Sequence, residues 1–260
     1  MKLKFGFCGM GNMASAIVGG ALKVGALVPE QIVGYDPWST RLQEFAREGV
    51  GVAASPAALA ESCDIVVLAV KPKVVEQVVA EMGDALIGKA VLSIALGWRY
   101  AELSGVLPES VRRQAVMPNI PMQVCEGVCL LEEQNSLTDA EHAAVTALFS
   151  AIGTVTVLPT ALMKSAGSLS GCGPAFTYMY IEALADAAVY HGVPRADAYR
   201  LAAQTVLGAA KTVLETGVHP GALKDSVCSP GGSTIRGVAK LEELGFRSAV
   251  IETIREVERY

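Results

Sequence analysis

The chain has 260 residues, 52% of them hydrophobic and 18% charged, with a formal net charge of -5. This length suits one large domain or two smaller ones, and an acidic balance without any Lys/Arg cluster excludes a nucleic-acid or anionic-membrane surface. So apolar a chain is expected to cover part of its outside with a second copy. Six scattered cysteines (Cys8, Cys63, Cys125, Cys129, Cys172 and Cys228) form no C-x-x-C pair, and the three histidines lie far apart. They read as small buried hydrophobes in a reducing compartment, not as metal ligands. The opening MKLKFGFCGMGNMASAIVGGAL is too rich in glycine for a secretory leader and lacks a cleavage pattern. No stretch is long and apolar enough to span a bilayer. The expectation is a cytoplasmic, metal-free protein.

In chain order, Lys4 to Cys8 reads as a buried strand leading into Gly9-Met10-Gly11-Asn12-Met13-Ala14, and helical spacing follows from Ala14 to Ala26. Strand, G-x-G-x-x-A and helix form a dinucleotide-binding loop. Gly9 permits the tight turn, Gly11 admits a pyrophosphate to the backbone, and Ala14 keeps the helix close to the strand. The helix start offers N–H groups and a positive dipole end to the phosphates. A second strand, Gln31 to Tyr35, ends in Asp36, an acid placed to hold the adenosine ribose hydroxyls. Helices are expected over Arg41 to Glu48, Pro56 to Glu61 after a Ser55 cap, and Lys73 to Met82. Strands are expected over Asp64 to Val70, Ala90 to Ala95, Val111 to Val116, Gly127 to Leu131 and Gly153 to Leu158. This alternation describes a doubly wound α/β (Rossmann-type) sheet over residues 1–160. At its ligand-binding edge stand Val70-Lys71-Pro72 and Met117-Pro118-Asn119-Ile120-Pro121, both suited to the nicotinamide end.

From residue 161 onward only helical spacing remains, which defines an all-α domain over 161–260. Ser170-Gly171-Cys172-Gly173 leads to a helix expected from Pro174, at the favoured first position, to Tyr190. Another runs from about Arg195 to Glu215 and stops at Gly217, and His219 to Tyr260 offers three shorter ones. Among these, Ser229-Pro230-Gly231-Gly232-Ser233-Thr234 precedes a helix whose apolar face carries Ile235, Val238, Leu241 and Leu244. Glycines before a helix start form a second small anion pocket, with the Ser233 and Thr234 hydroxyls beside the N–H groups. Thr234 could also serve simply as a helix cap.

GMGNMASAIVGG, AVKP (Ala69 to Pro72), MPNIP, SGCGPAF and HPGALKDSVCSPGGSTIRGVAKLE, in this order, resemble the pyrroline-5-carboxylate reductase family over essentially the whole chain. The resemblance implies reduction of L-1-pyrroline-5-carboxylate to L-proline by NADPH or NADH, and a helical domain interleaved with its twin in a homodimer, often built up to a decamer. It further implies an active site shared between one subunit's nucleotide domain and the helices of the dimer pair. Gly232, Ser233 and Thr234 would hold the substrate carboxylate, with Val227 and Ser229 lining the ring. The cofactor would meet the Gly9 loop, Asp36, Ala69, Val70, Lys71, Pro72 and Asn119. A protonated cyclic imine accepts hydride without a strong protein acid, in keeping with the absence of a His/Asp or Cys/His constellation.

Two positions depart from the common pattern. Cys172 stands where serine is frequent, and Asp36 leans toward NADH, although Ser39, Thr40 and Arg41 lie close enough to meet a 2′-phosphate. Two other readings compete. A β-hydroxyacid dehydrogenase would carry a lysine and an asparagine one turn apart on the first long helix, and the stretch from Pro174 to Tyr190 has no lysine. A non-catalytic nucleotide sensor would have no use for the second loop.

Overall fold

The protein is described by a computed structural model covering residues 3–38 and 40–259. The chain divides into two compact units, the first ending at Gly171 and the second beginning at Cys172.

The first unit is built on one sheet in the order β3-β2-β1-β4-β5-β6-β7-β8. Its elements are β1 (Phe5–Cys8), α1 (Asn12–Lys23), β2 (Ile32–Tyr35), α2 (Thr40–Arg47), β3 (Gly51–Val52), α3 (Pro56–Glu61), β4 (Ile65–Leu68), α4 (Val75–Met82), β5 (Ala90–Ser93), α5 (Tyr100–Val106), β6 (Arg112–Pro118), β7 (Gly127–Asn135), α6 (Asp139–Ala151) and β8 (Gly153–Leu158). The four central strands β1, β4, β5 and β6 pair in parallel. Because helices cover both faces, β1, β4 and β5 are buried at every residue and read as unbroken apolar runs. One core layer gathers Phe5, Phe7, Ile17, Ile65 and Phe149, and the other Val66, Leu68, Leu59 and Leu103. The Ser55 hydroxyl accepts the Ala58 N–H at 3.1 Å, so α3 starts where its cap predicts.

Three features lay beyond the sequence pattern. β3 is a two-residue edge strand, too short to show a period. β7 runs antiparallel to β6; the short link between Pro118 and Gly127 cannot make a parallel crossover. β6 is further tied to α6 by a bidentate ion pair, Arg112 with Glu141, at 2.6–3.0 Å. Glu141 also closes a capping box with Thr138 at the start of α6.

The helix expected to begin at Pro174 begins much earlier. α7 runs unbroken from Thr160 to Tyr190, with Pro174 in its interior. Its first residue is held by the fully buried Glu132 on β7, whose carboxylate accepts the Thr160 hydroxyl at 2.6 Å and the Tyr100 N–H at 2.8 Å. The longer helix therefore contains Lys164, followed one turn later by Ser168, not by asparagine.

The second unit continues α7 and adds α8 (Arg195–Thr216), α9 (Pro220–Ser226), α10 (Ser233–Glu243) and α11 (Phe246–Arg259). Gly217 takes φ +63° and ends α8 as expected. The buried core here is small: Ala185, Ala198 and Ala202, with Ile181 and Leu184 packed against them. Large side chains face outward instead, among them Met179 at 68% and Leu214 at 82% exposure.

Candidate nucleotide- and substrate-binding sites

The loop between β1 and α1 is shaped by contacts that only glycine allows. Gly9 has φ +96°, and a Cβ there would lie 2.7 Å from the Ala69 carbonyl oxygen. Its N–H donates to the Tyr35 carbonyl at 2.8 Å, while the Ala69 N–H donates to Cys8 at 2.8 Å. Gly11 differs: its φ is -72°, and a Cβ built on it meets nothing within 4 Å. It caps α1 without any side-chain acceptor, so the first N–H groups of the helix, on Asn12 and Met13, open onto the space above Gly11. These residues fit a dinucleotide diphosphate.

Met10 does not join them. Its side chain is fully buried in the core, and its N–H donates to Asp36 Oδ2 at 2.8 Å. Asp36 Oδ1 accepts the Trp38 N–H at 2.9 Å. The acid that follows β2 therefore fastens the glycine loop to the following turn, whatever it does for a ribose. Arg41, in the first turn of α2, donates to Asn12 Oδ1 at 2.7 Å, which sets a guanidinium beside the start of α1. Thr40, at the start of α2, is exposed near it, and Ser39 lies outside the described residues.

At the edge beyond β4, Val70 is half-buried while Lys71 and Pro72 are exposed, and the Pro72 carbonyl accepts the Trp98 indole N–H at 2.9 Å. The indole tether was not legible, since the two residues are distant in sequence. Asn119 behaves otherwise than expected: it is only 5% exposed and both ends of its amide are engaged. Its Oδ1 accepts the Val128 N–H at 2.8 Å, and its Nδ2 donates to the Ser170 carbonyl at 2.9 Å. That side chain is closed to a ligand in this arrangement.

In the second unit, the Gly232 N–H donates to the Ser229 carbonyl at 3.0 Å, with Pro230 and Gly231 (φ +70°) between them. Proline followed by a positive-φ glycine is the pattern of a type II turn. Gly232 is thus a correction to the expected donor set, because its N–H is spent inside the turn. A Cβ on it would also collide with the Ser229 hydroxyl oxygen. Gly232 is the N-cap of α10 and brings no side-chain acceptor, so the N–H groups of Ser233 and Thr234 face outward with the two hydroxyls. Thr234 stands inside the first turn and is not the cap. Val227 and Ser229 are exposed just before it. The preceding α9 is capped by His219, whose Nδ1 accepts the Gly221 N–H at 3.0 Å. Among the described residues no group of three His, Cys, Asp or Glu comes together as a metal site.

Comparison with known proteins bears on the whole chain. A family model described as pyrroline-5-carboxylate reductase dimerisation matches residues 160–260, and one described as NADP oxidoreductase, coenzyme F420-dependent, matches residues 4–97. The pyrroline-5-carboxylate reductase of Escherichia coli (strain K12) is 42% identical over 256 residues, covering 98% of this chain and 95% of that relative. That of Methanosarcina acetivorans is 42% identical over 253 residues, covering 96% and 94%. The crystal structure of Plasmodium falciparum pyrroline carboxylate reductase with NADP bound matches with a TM-score of 0.90 at 29% identity, covering 100% of this chain and 97% of that one. With such relatives spanning both units, and with a glycine-rich helix start in each, the chain belongs to the pyrroline-5-carboxylate reductase family.

Proposed function

We infer that the protein reduces L-1-pyrroline-5-carboxylate to L-proline with NAD(P)H. The observation that carries this is the start of α10: a glycine cap leaves the Ser233 and Thr234 N–H groups to an anion, within a chain of this family. NAD(P)H supplies the hydride. The protein's share is to bind and orient. Residues 1–160 hold the nucleotide: Asn12 and Met13 present N–H groups to its diphosphate, Gly9 and Gly11 clear the approach, and Ala69, Val70, Lys71 and Pro72 form the edge beyond β4. Residues 161–260 hold the substrate: Ser233, Thr234 and the Thr234 hydroxyl take its carboxylate, and Val227 and Ser229 flank its ring. Holding the ring in one orientation replaces a costly encounter by a prepared one, and this needs no strong acid because the imine arrives protonated.

The second unit supports assembly with a second copy of the chain. A core of three alanines leaves Met179, Leu214 and similar side chains in water, where a matching surface would cover them. A homodimer, assembled further into a decamer, is the reading we adopt, in the cytoplasm. No described helix is long and apolar enough to cross a membrane.

The test supplies L-1-pyrroline-5-carboxylate with NADH or NADPH and follows nicotinamide absorbance, with L-proline identified as product. Absence of oxidation with both nucleotides would end this reading. A clean monomer in solution would end the assembly reading.

A further inference from the structure

A proline inside a helix has no N–H for the carbonyl four residues earlier. In α7 that carbonyl belongs to Ser170, since Pro174 lies in the helix interior. It is this carbonyl that accepts Asn119 Nδ2 at 2.9 Å. The other end of the same amide accepts the Val128 N–H at 2.8 Å, at the start of β7. A carbonyl at one end and an N–H at the other fix which way the amide points. Asn119 itself follows directly on β6. One buried side chain thus joins the ends of two strands to the point of α7 where Pro174 leaves the helical ladder open.

A second contact lies one turn earlier on the same helix. Gly167 is buried against the Met117 side chain on β6, and a Cβ there would collide with the Met117 sulfur. The helix therefore approaches the carboxyl edge of β6 at backbone distance, and the Asn119 amide fixes the register of that approach.

We propose that Asn119 is a positioning residue that replaces the hydrogen bond removed by Pro174, and so holds the carboxyl edge of β6 in the geometry that hydride transfer requires. This rests on the reductase reading above. In α/β sheets the carboxyl edge is where ligands meet the strands, and a displacement there alters the alignment of reactants far more than it alters binding of a distant diphosphate. The residue acts through Ser170 and touches neither cofactor nor substrate.

The test is a double-mutant cycle between residues 119 and 174 on the full-length protein, with kcat, KM and thermal midpoint read for all four forms. In the natural background Asn119→Ala lowers kcat about tenfold or more, while KM for NAD(P)H stays within about threefold. In the Pro174→Ala background, where residue 174 regains an N–H for the Ser170 carbonyl, the same substitution costs about threefold or less. A ligand-contacting asparagine could not be rescued in this way. Equal losses in the two backgrounds, no loss in either, or coupling in the midpoints without coupling in kcat would overturn the proposal. Should Asn119→Ala fail to fold, Asn119→Asp enters the same cycle, since it keeps an acceptor for Val128 and puts an acceptor oxygen in place of the donor to Ser170. An inactive wild type would count against the reductase reading, and the midpoints would still decide whether the strut exists.

Discussion

Gly11→Ala separates folding from nucleotide binding, because the two glycines of the loop fail for different physical reasons. At Gly11 the backbone has φ -72°, which alanine adopts freely, and the new methyl meets nothing within 4 Å. Alanine reduces the freedom of the unfolded chain, worth about 0.4–1 kcal/mol in favour of the fold. It is also a poorer cap than glycine by a similar amount. The two effects roughly cancel, and the thermal midpoint should move by no more than about 5 °C. The methyl group occupies the space through which a diphosphate reaches the Asn12 and Met13 N–H groups. Losing one charge-assisted hydrogen bond costs about 1.5–3 kcal/mol, which weakens nucleotide binding by roughly 10- to 100-fold. Isothermal titration with NADH and NADPH measures this, beside a thermal scan without nucleotide. A Kd within about threefold of wild type, with the midpoint unchanged, would refute the placement of the diphosphate. Gly9→Ala is the contrast: φ +96° and the Ala69 carbonyl at 2.7 Å make it a folding defect first.

Thr234→Ala removes a hydroxyl beside the α10 start and should raise KM for the imine about tenfold while leaving nucleotide KM nearly unchanged; equal effects on both would mean the substrate loop is misassigned. Burial pushes the Glu141 carboxyl up, but hydrogen bonds from Arg112 and Thr138 outweigh it and hold its pKa below the ordinary value. Its stabilising contribution is therefore complete above the ordinary carboxylate value and is lost as pH falls through the lowered one. Glu141→Gln should cost about 1–3 kcal/mol near neutrality and flatten that acid limb, which urea titrations across pH would show. Burial raises the Cys8 thiol to about 12 and the Cys63 thiol to about 11, and lifts that of Cys129 well above its usual value. Iodoacetamide at about pH 8 should spare these three in the native protein and label all six cysteines in denaturant, as peptide mass mapping would reveal.

The nucleotide half was legible because each of its signals is local. A glycine loop, a Ser55 cap and apolar runs state their geometry within a few residues, and β1, α3 and β8 form almost where the sequence placed them. What was not legible depended on partners distant in sequence. Gly-Cys-Gly-Pro reads locally as the entry to a helix, yet Asn119 supplies the missing donor and α7 continues through it. Gly232 offers an N–H on paper, but a turn to Ser229 uses it first. Strand direction is likewise invisible to periodicity. The antiparallel β7 follows from the shortness of its link to β6, which an argument from connection length could have reached.

Asp36 has a consequence for redesigning cofactor choice. Exchanging the acid after β2 is the obvious route to favour a phosphorylated ribose. Here the same carboxylate receives the N–H of the buried Met10 and that of Trp38. Exchanging it would remove the acceptor of both bonds, each worth about 0.5–1.5 kcal/mol or more with a charged partner, so a change of coenzyme at this position arrives coupled to a loss of stability. The outer residues Thr40 and Arg41 are exposed at the start of α2, and the tie of Arg41 runs to the Asn12 side chain at the surface. Preference between the two nucleotides can drift or be engineered there, while position 36 stays fixed by the fold.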